Sequence, residues 1–280
     1  MVYLILSALF FALNNLSWKW IVADHLPLQV IVKRSTLTSI IGLASLMLNY
    51  NNFTFYNTIG QAVFVNLTCL IGALGLVFMI YALKNCSLST FIHYSLIGAS
   101  FSATYLYYIE NIVPNNYVIG LICISFGFFT FLWNQRQGTK KIGFSTHRYL
   151  FLMSICFSTT AIMQWYNLKT YDFLFLVVNQ ELMVLAVSIV LLCLLKQPLI
   201  KTLKLDFIYL MALLVFLALL TGMYGLKLTD PFISNLVSLS SSIFTIILAV
   251  FLLKGNIPTT SVAHLKPIKF VDIYSGKYLL

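Results

Sequence analysis

The chain has 280 residues, of which 60% are hydrophobic and only 9% are charged, and its formal net charge at pH 7 is +10. A soluble domain carries about 25% charged residues, so the composition excludes a water-soluble fold and predicts a chain that uses lipid as its solvent. The lysines and arginines cluster in short connections between apolar runs, where phospholipid headgroups attract them. We therefore expect the lipid bilayer, and no nucleic acid, as a partner.

Nine apolar runs are long enough to cross a membrane, which takes about 20 helical residues. Each run is predicted to be helical, because backbone groups that face lipid need hydrogen-bond partners within their own segment. The first run lacks a charged leader and a small-residue cleavage site, so we interpret it as a retained span. The runs cover residues 3–22, 28–49, 61–82, 87–108, 117–134, 149–167, 173–195, 207–227 and 231–253. The predicted class is an all-α, polytopic integral membrane protein.

The second half of the chain repeats the first in a recognisable order. At an offset of 146 residues, "YLILSALFF" (3–11) falls on "YLFLMSICF" (149–157), and at an offset of 143, "YALK" (81–84) falls on "YGLK" (224–227). With five spans in each half, the second half enters the membrane from the opposite side and the repeats are inverted. Inverted repeats build many secondary transporters. A helical bundle with accidental similarity is the alternative.

The boundary between the two halves falls in a polar, glycine-containing and basic stretch near the middle of the chain. We predict four segments. They are a first repeat of five helices at 1–134, a basic linker at 135–148, a second repeat of four helices at 149–258 and a polar tail at 259–280.

Three stretches carry a resemblance to a known family. "FFALNNLSWKWI" resembles the first helix of EamA-type permeases in the drug/metabolite transporter superfamily, "YALKNCSLSTF" resembles the opening of their fourth helix, and "YIENIVPNNYVIGLICISFGFFTF" resembles their fifth. The resemblance implies a ten-helix exporter of a small metabolite, such as an amino acid or a related compound. It also implies a multi-pass protein of a bacterial inner or plasma membrane.

The chain departs from the family pattern in several places. Gly98 stands where the family usually has a proline in its fourth helix, with Ser242 as the equivalent residue in the second half, and Lys254 replaces an acidic residue. After residue 258 no apolar run is long enough for a tenth helix. We therefore expect nine spans, and a non-transporting membrane subunit or a truncated remnant is the alternative function.

The orientation in the membrane is open at this point. Most lysines and arginines fall on one side of a nine-span chain, which places the N-terminus outside by the positive-inside rule. The family resemblance implies an N-terminus inside.

Catalysis is not expected. The seven acidic residues are scattered, without paired carboxylates or a Ser/His/Asp set, and the five cysteines lie singly, without metal-ligand spacing. The sequence therefore favours neither an integral-membrane enzyme nor a metal or cofactor. It also lacks a phosphate-binding glycine loop, so transport would draw on an ion or substrate gradient, with the proton as a candidate coupling ion. The oligomeric state is open.

An ionisable residue inside a membrane costs about 2.5–3.5 kcal/mol on insertion scales, so each one needs a reason. Glu181 lies in the middle of an apolar run, and the offset of 146 places Lys33 and Arg34 at matching positions of the second run. We predict these three residues to act in coupling or gating, through a cation–carboxylate pair between the halves. A purely structural pair is the alternative.

Polar and aromatic residues recur at related places in the two halves and are candidates for substrate binding. Asn14 and Trp18 share one face of the first predicted helix, and Gln164 and Trp165 occupy the related part of the sixth. His93 lies well inside a predicted span, and we add it as a substrate-binding candidate whose pKa suits a proton relay. Hydrogen bonds between helices, an interfacial tryptophan and a packed neutral histidine are the alternatives.

Overall fold

The structure is a computed structural model, and it describes most of the chain. The described residues are 1–49, 55–86, 88–112, 122, 125–126, 129, 143–198, 205–241, 243–245 and 247–248, with the backbone alone at 19–20, 22–24, 84–85, 88–93 and 205–206. The run predicted at 117–134 lies largely outside this part of the chain. The tail at 259–280, Ser242, Lys254, the proposed absence of a tenth helix and the His93 side chain lie outside it entirely.

The described residues form helices and contain no strand, so the all-α prediction is confirmed for them. The helices are α1 (Val2–Asp24), α2 (Pro27–Leu48), α3 (Ile59–Asn85), α4 (Leu88–Tyr108), α5 (Phe144–Asn167), α6 (Phe173–Leu194), α7 (Leu205–Lys227) and α8 (Pro231–Ser238).

Four segments among the described residues are long and apolar enough to cross a membrane. They are Pro27–Leu48, Ile59–Leu83, Phe173–Leu194 and Phe207–Lys227, and α1 adds the shorter apolar stretch Val2–Trp18. A helix of 22 residues is about 33 Å long, close to the roughly 30 Å of a hydrocarbon core. These four helices do not test the predicted count of nine spans.

Local sequence explains where the helices begin. Pro27 occupies the first turn of α2, where its missing N–H costs nothing. Asp172 and Asp230 cap α6 and α8, each with a carboxylate oxygen that accepts a hydrogen bond from a backbone N–H of the first turn. The helix α5 begins at Phe144, five residues before the apolar run predicted at 149. Thr146, in this additional turn, is 5% exposed.

The two halves of the chain interleave instead of forming separate bodies. The most extensive helix contacts join α3 to α5, α1 to α7 and α2 to α6, whereas helices adjacent in sequence within the first half touch only slightly. Further contacts join α3 to α6, α2 to α7, α4 to α5 and α1 to α8. Because α2 and α6 contact each other and the flanking helices α3 and α7, they occupy the middle of the bundle.

Candidate functional site

A buried ion pair joins the two central helices. Arg34 of α2 approaches Glu181 of α6 with Nη2 at 3.2 Å from Oε2 and Nη1 at 3.4 Å from Oε1. The two side chains are only 2% and 4% exposed. The two terminal nitrogens of the guanidinium group each face one carboxylate oxygen, which is the forked geometry that distinguishes arginine from lysine.

The pair lies near the middle of both helices. Arg34 is the eighth of the 22 residues of α2, and Glu181 is the ninth of the 22 residues of α6. At 1.5 Å per residue, each Cα is therefore about 4–5 Å from the midpoint of its helix. Lys33, which the sequence groups with these residues, is half-buried and takes no part in the pair.

The contact between Arg34 and Glu181 leaves a buried hydrogen-bond donor of the arginine unused. Arg34 Nε has no hydrogen-bond partner among the described residues. Taking a guanidinium and a carboxylate out of water costs several kcal/mol for each ion, and the cost is recovered only when the remaining donors and acceptors are also paired. The contact therefore leaves part of the cost of burying the guanidinium uncompensated among the described residues.

A second polar group, the amide cluster, adjoins the ion pair along α6. It consists of the side chains of Thr160, Gln164 and Gln180, which gather around Cys69 and Gly72 of α3. The Gln180 amide donates to the Cys69 carbonyl oxygen at 3.1 Å, and the Gln164 amide nitrogen lies 3.9 Å from the Cys69 sulfur. Gln164 is 1% exposed and Gln180 is 6% exposed, so the cluster is enclosed by protein.

Gln164 is the member of the amide cluster that the sequence predicts as a site residue, and the others were not predicted. Thr160, Gln164 and Asn167 follow one another at positions i, i+4 and i+7, which places them on one face of α5. A polar stripe of this kind on an apolar helix is the signal that predicts a buried polar contact. Asn167 also makes a buried polar contact from this face of α5, since its amide donates to Thr68 Oγ1 of α3 at 3.3 Å.

The predicted residues of α1 are buried in the bundle. Trp18 is 2% exposed and belongs to the hydrophobic core with Leu28 and Ile31 of α2. Asn14 is 4% exposed, and its Oδ1 accepts no hydrogen bond among the described residues. Trp18 therefore serves as a packing residue in this conformation, while Asn14 keeps an unused acceptor.

Trp165 follows Gln164 at the end of α5, but its side chain contacts a different set of residues. Its indole N–H donates to the Thr229 carbonyl oxygen at 3.1 Å, in the turn between α7 and α8. The Lys169 ammonium lies 4.1 Å from the centre of the indole ring and 4.6 Å from that of Tyr166. The Tyr166 hydroxyl also contacts the Glu110 carboxylate. This cluster ties three helix ends together at one end of the bundle.

A hollow of about 390 Å³ opens beside the ends of α2 and α6. Its lining includes Ser45 and Asn49 of α2, Asp172 and Phe173 at the start of α6, and Phe216 of α7. The aromatic residue Tyr56 precedes α3 on the same side, and burial raises the pKa of its hydroxyl above the ordinary value. None of the five predicted substrate-binding residues lines this hollow.

The structure thus brings together Arg34 and Glu181 and places Gln164 in the neighbouring amide cluster. It keeps Trp165 at one end of the bundle and packs Trp18 in the core. Within the described residues, no cluster of three or more His, Cys, Asp or Glu side chains is suited to a metal ion. No protein-family model and no curated protein matches this sequence.

Proposed function

We propose that this protein is a secondary transporter that moves a small metabolite by alternating access, with the Arg34–Glu181 pair as its central gate. The observation that carries the proposal is the buried ion pair midway along two membrane-length helices. Charged residues at such a depth are expensive, and in membrane proteins they mark substrate paths, proton relays and gates.

Helix packing supports the inverted repeat that the proposal requires. If α1 to α4 correspond to α5 to α8, a two-fold axis exchanges the α1–α7 contact with α5–α3, α2–α7 with α6–α3, and α1–α8 with α5–α4. Both members of each exchange occur in the bundle. The α2–α6 contact maps onto itself, so the axis runs between these two helices. Transporters of this architecture hold their substrate near the membrane midplane at the repeat interface.

The ion pair lies beside that axis. At the offset of 146, Arg34 corresponds to Gln180 and Ser35 corresponds to Glu181, so the two-fold exchange would map the charged pair onto the polar positions 180 and 35. Breaking the pair lets the halves rock apart on one side, and forming it closes them. The hollow that includes Ser45 and Asp172 would then serve as the vestibule of one side.

The resemblance to EamA-type permeases adds the substrate class to this proposal, namely amino acids or related small metabolites. It also suggests export across a bacterial inner or plasma membrane by a multi-pass protein. The proton is the candidate coupling ion, because Glu181 can carry one when its contact to Arg34 opens.

Flux into proteoliposomes tests the function directly. A panel of radiolabelled amino acids and related metabolites is offered to the wild type and to Glu181→Gln and Arg34→Gln. We expect uptake of at least one compound by the wild type and a loss of about tenfold or more in both variants, because each leaves one buried group unmatched. Arg34→Lys should recover part of the flux, since lysine keeps the charge but not the forked contact.

The matched control is Asp230→Asn, which also exchanges a carboxylate for an amide but keeps an effective helix cap. It should transport like the wild type. Wild-type flux in Glu181→Gln and Arg34→Gln, or no flux by the wild type across the whole panel, would contradict the proposal.

A further inference from the structure

Three side-chain oxygen atoms of the amide cluster take part in no hydrogen bond among the described residues. Gln164 Oε1, Gln180 Oε1 and Thr160 Oγ1 are buried and have no partner among the described residues. Both amide NH₂ groups are already turned toward Cys69, one to its carbonyl oxygen and one to its sulfur. On each glutamine, the amide oxygen is therefore the polar atom left without a partner.

The hydroxyl of Thr160 differs from the other helical hydroxyls nearby. Ser154 and Ser158 on the same helix, and Thr68 on α3, each donate to the carbonyl oxygen four residues earlier in their own helix. Thr160 makes no such bond within the described part of the chain. Its oxygen is therefore a third buried atom of the cluster without a partner.

Gly72 makes room for this arrangement. A Cβ at this position would lie 2.7 Å from Gln180 Nε2, 3.0 Å from Gln180 Oε1 and 3.1 Å from Thr160 Cγ2. The contact at 2.7 Å is closer than real Cβ atoms come, so a larger residue at position 72 would displace the end of the Gln180 side chain. The same distances show that Thr160 and Gln180 converge on one point of α3.

We propose that the amide cluster binds a small monovalent cation, with Gln164 Oε1, Gln180 Oε1 and Thr160 Oγ1 as its side-chain ligands. Three buried oxygens with unused lone pairs, on the adjacent helices α5 and α6, suit a positive ion. Calcium and magnesium sites are built on carboxylates, and the nearest carboxylate, Glu181, is held by Arg34, so a neutral oxygen set selects Na⁺ or a similar ion. Gln164 also lies in the last turn of α5, where the negative end of the helix dipole favours a cation.

The cation site is inferred from these contacts alone, whereas its role in transport rests on the function proposed above. The site adjoins the gate, since Gln180 precedes Glu181 on α6. A cation bound here would hold α3, α5 and α6 together while Arg34 and Glu181 are in contact. It would thus act as a coupling ion in addition to, or in place of, a proton.

Thermal unfolding in detergent tests the site without any transport assay. The midpoint Tm of the purified full chain is measured in NaCl, in KCl and in choline chloride at one ionic strength. We expect a higher Tm in NaCl or KCl than in choline chloride by about 2–4 °C or more, because an ion that binds only the folded state stabilises it by mass action. The shift should be lost in Thr160→Val and in Gln164→Leu, and Thr160→Ser, which keeps the hydroxyl, should retain it.

The control is Thr221→Val on α7, whose hydroxyl already donates to the Leu217 carbonyl oxygen and lies away from the cluster. It should show the wild-type shift even if its Tm is lower overall. Equal Tm values of the wild type in all three salts, or an undiminished shift in both Thr160→Val and Gln164→Leu, would overturn the site. A cation-dependent Tm in a protein without flux would overturn the transporter proposal and leave the site standing.

Discussion

At the scale of the residue, the Arg34–Glu181 contact balances the cost of taking two charges out of water against the attraction between them. Removing one partner leaves a charge without compensation in a medium that solvates it poorly, whereas removing both leaves an apolar contact that the surroundings tolerate. The contact is close and forked, yet Arg34 Nε is unpaired among the described residues. The pair therefore specifies how α2 and α6 meet more than it adds to stability.

A double-mutant cycle measures this balance. Arg34→Met and Glu181→Leu should each lower the free energy of unfolding by about 3–5 kcal/mol, and the double variant should lose less than either single variant. Unfolding in mixed detergent micelles, followed by circular dichroism, gives the three differences. Strictly additive losses would mean that the two side chains do not interact in the folded protein.

The sequence anticipates part of the residue-scale picture. The offset of 146 matches Lys33 and Arg34 with Asn179 and Gln180, next to Glu181, and the structure has Arg34, not Lys33, in contact with that carboxylate. The burial of Trp18 and the convergence of Thr160 on Gly72 were not predicted. These depend on how each helix is rotated about its axis toward a neighbour that is distant in sequence, and an almost uniformly apolar helix carries little signal for its rotation.

At the scale of the element, glycines set the distance between helices. A Cβ on Gly75 of α3 would lie 2.9 Å from Phe157 of α5, and a Cβ on Gly225 of α7 would lie 2.6 Å from Leu4 of α1. The α3–α5 and α7–α1 contacts are the pair that the proposed two-fold axis exchanges. Small residues let helices approach closely in lipid, where dispersion contacts replace the hydrophobic effect as the driving force.

Alanine substitution tests the glycine contacts. Gly75→Ala and Gly225→Ala should each cost about 1–3 kcal/mol of unfolding free energy, because the added methyl group displaces a packed side chain. Gly60→Ala is the control, since its Cβ would meet nothing closer than 4.0 Å, and we expect it to be neutral or slightly stabilising. Mixed-micelle unfolding serves again, and equal stabilities of all three variants would show that the close contacts do not form.

Helix positions are the feature that the sequence predicts best. The ends of α2, α4 and α6 lie within one residue of the apolar runs from which they are predicted. Prolines, caps and a long apolar stretch are local signals, so the boundaries follow from them without knowledge of the packing. The early start of α5 is an exception, because its first five residues precede the apolar run from which the helix is predicted.

At the scale of the whole molecule, the interleaving of the two halves is what would couple the gate to the rest of the bundle. Each half packs mainly on the other, and a displacement of one half relative to the other would change the contact between α2 and α6. The midpoint of the α2–α6 contact lies between the two halves. Alternating access requires that this place be reached by water from one side of the membrane and then from the other.

The accessibility of position 35 tests that requirement most directly. Ser35 is fully buried beside the ion pair, and its hydroxyl bonds only within its own helix, so a cysteine fits there with little disturbance. In a variant with the five native cysteines replaced, Ser35→Cys is exposed to a membrane-impermeant thiol reagent from either side of oriented vesicles. We predict modification from both sides, with the ratio between the sides changing when a transported compound is added. Protection from both sides under all conditions, or modification from one side alone, would contradict alternating access at this gate.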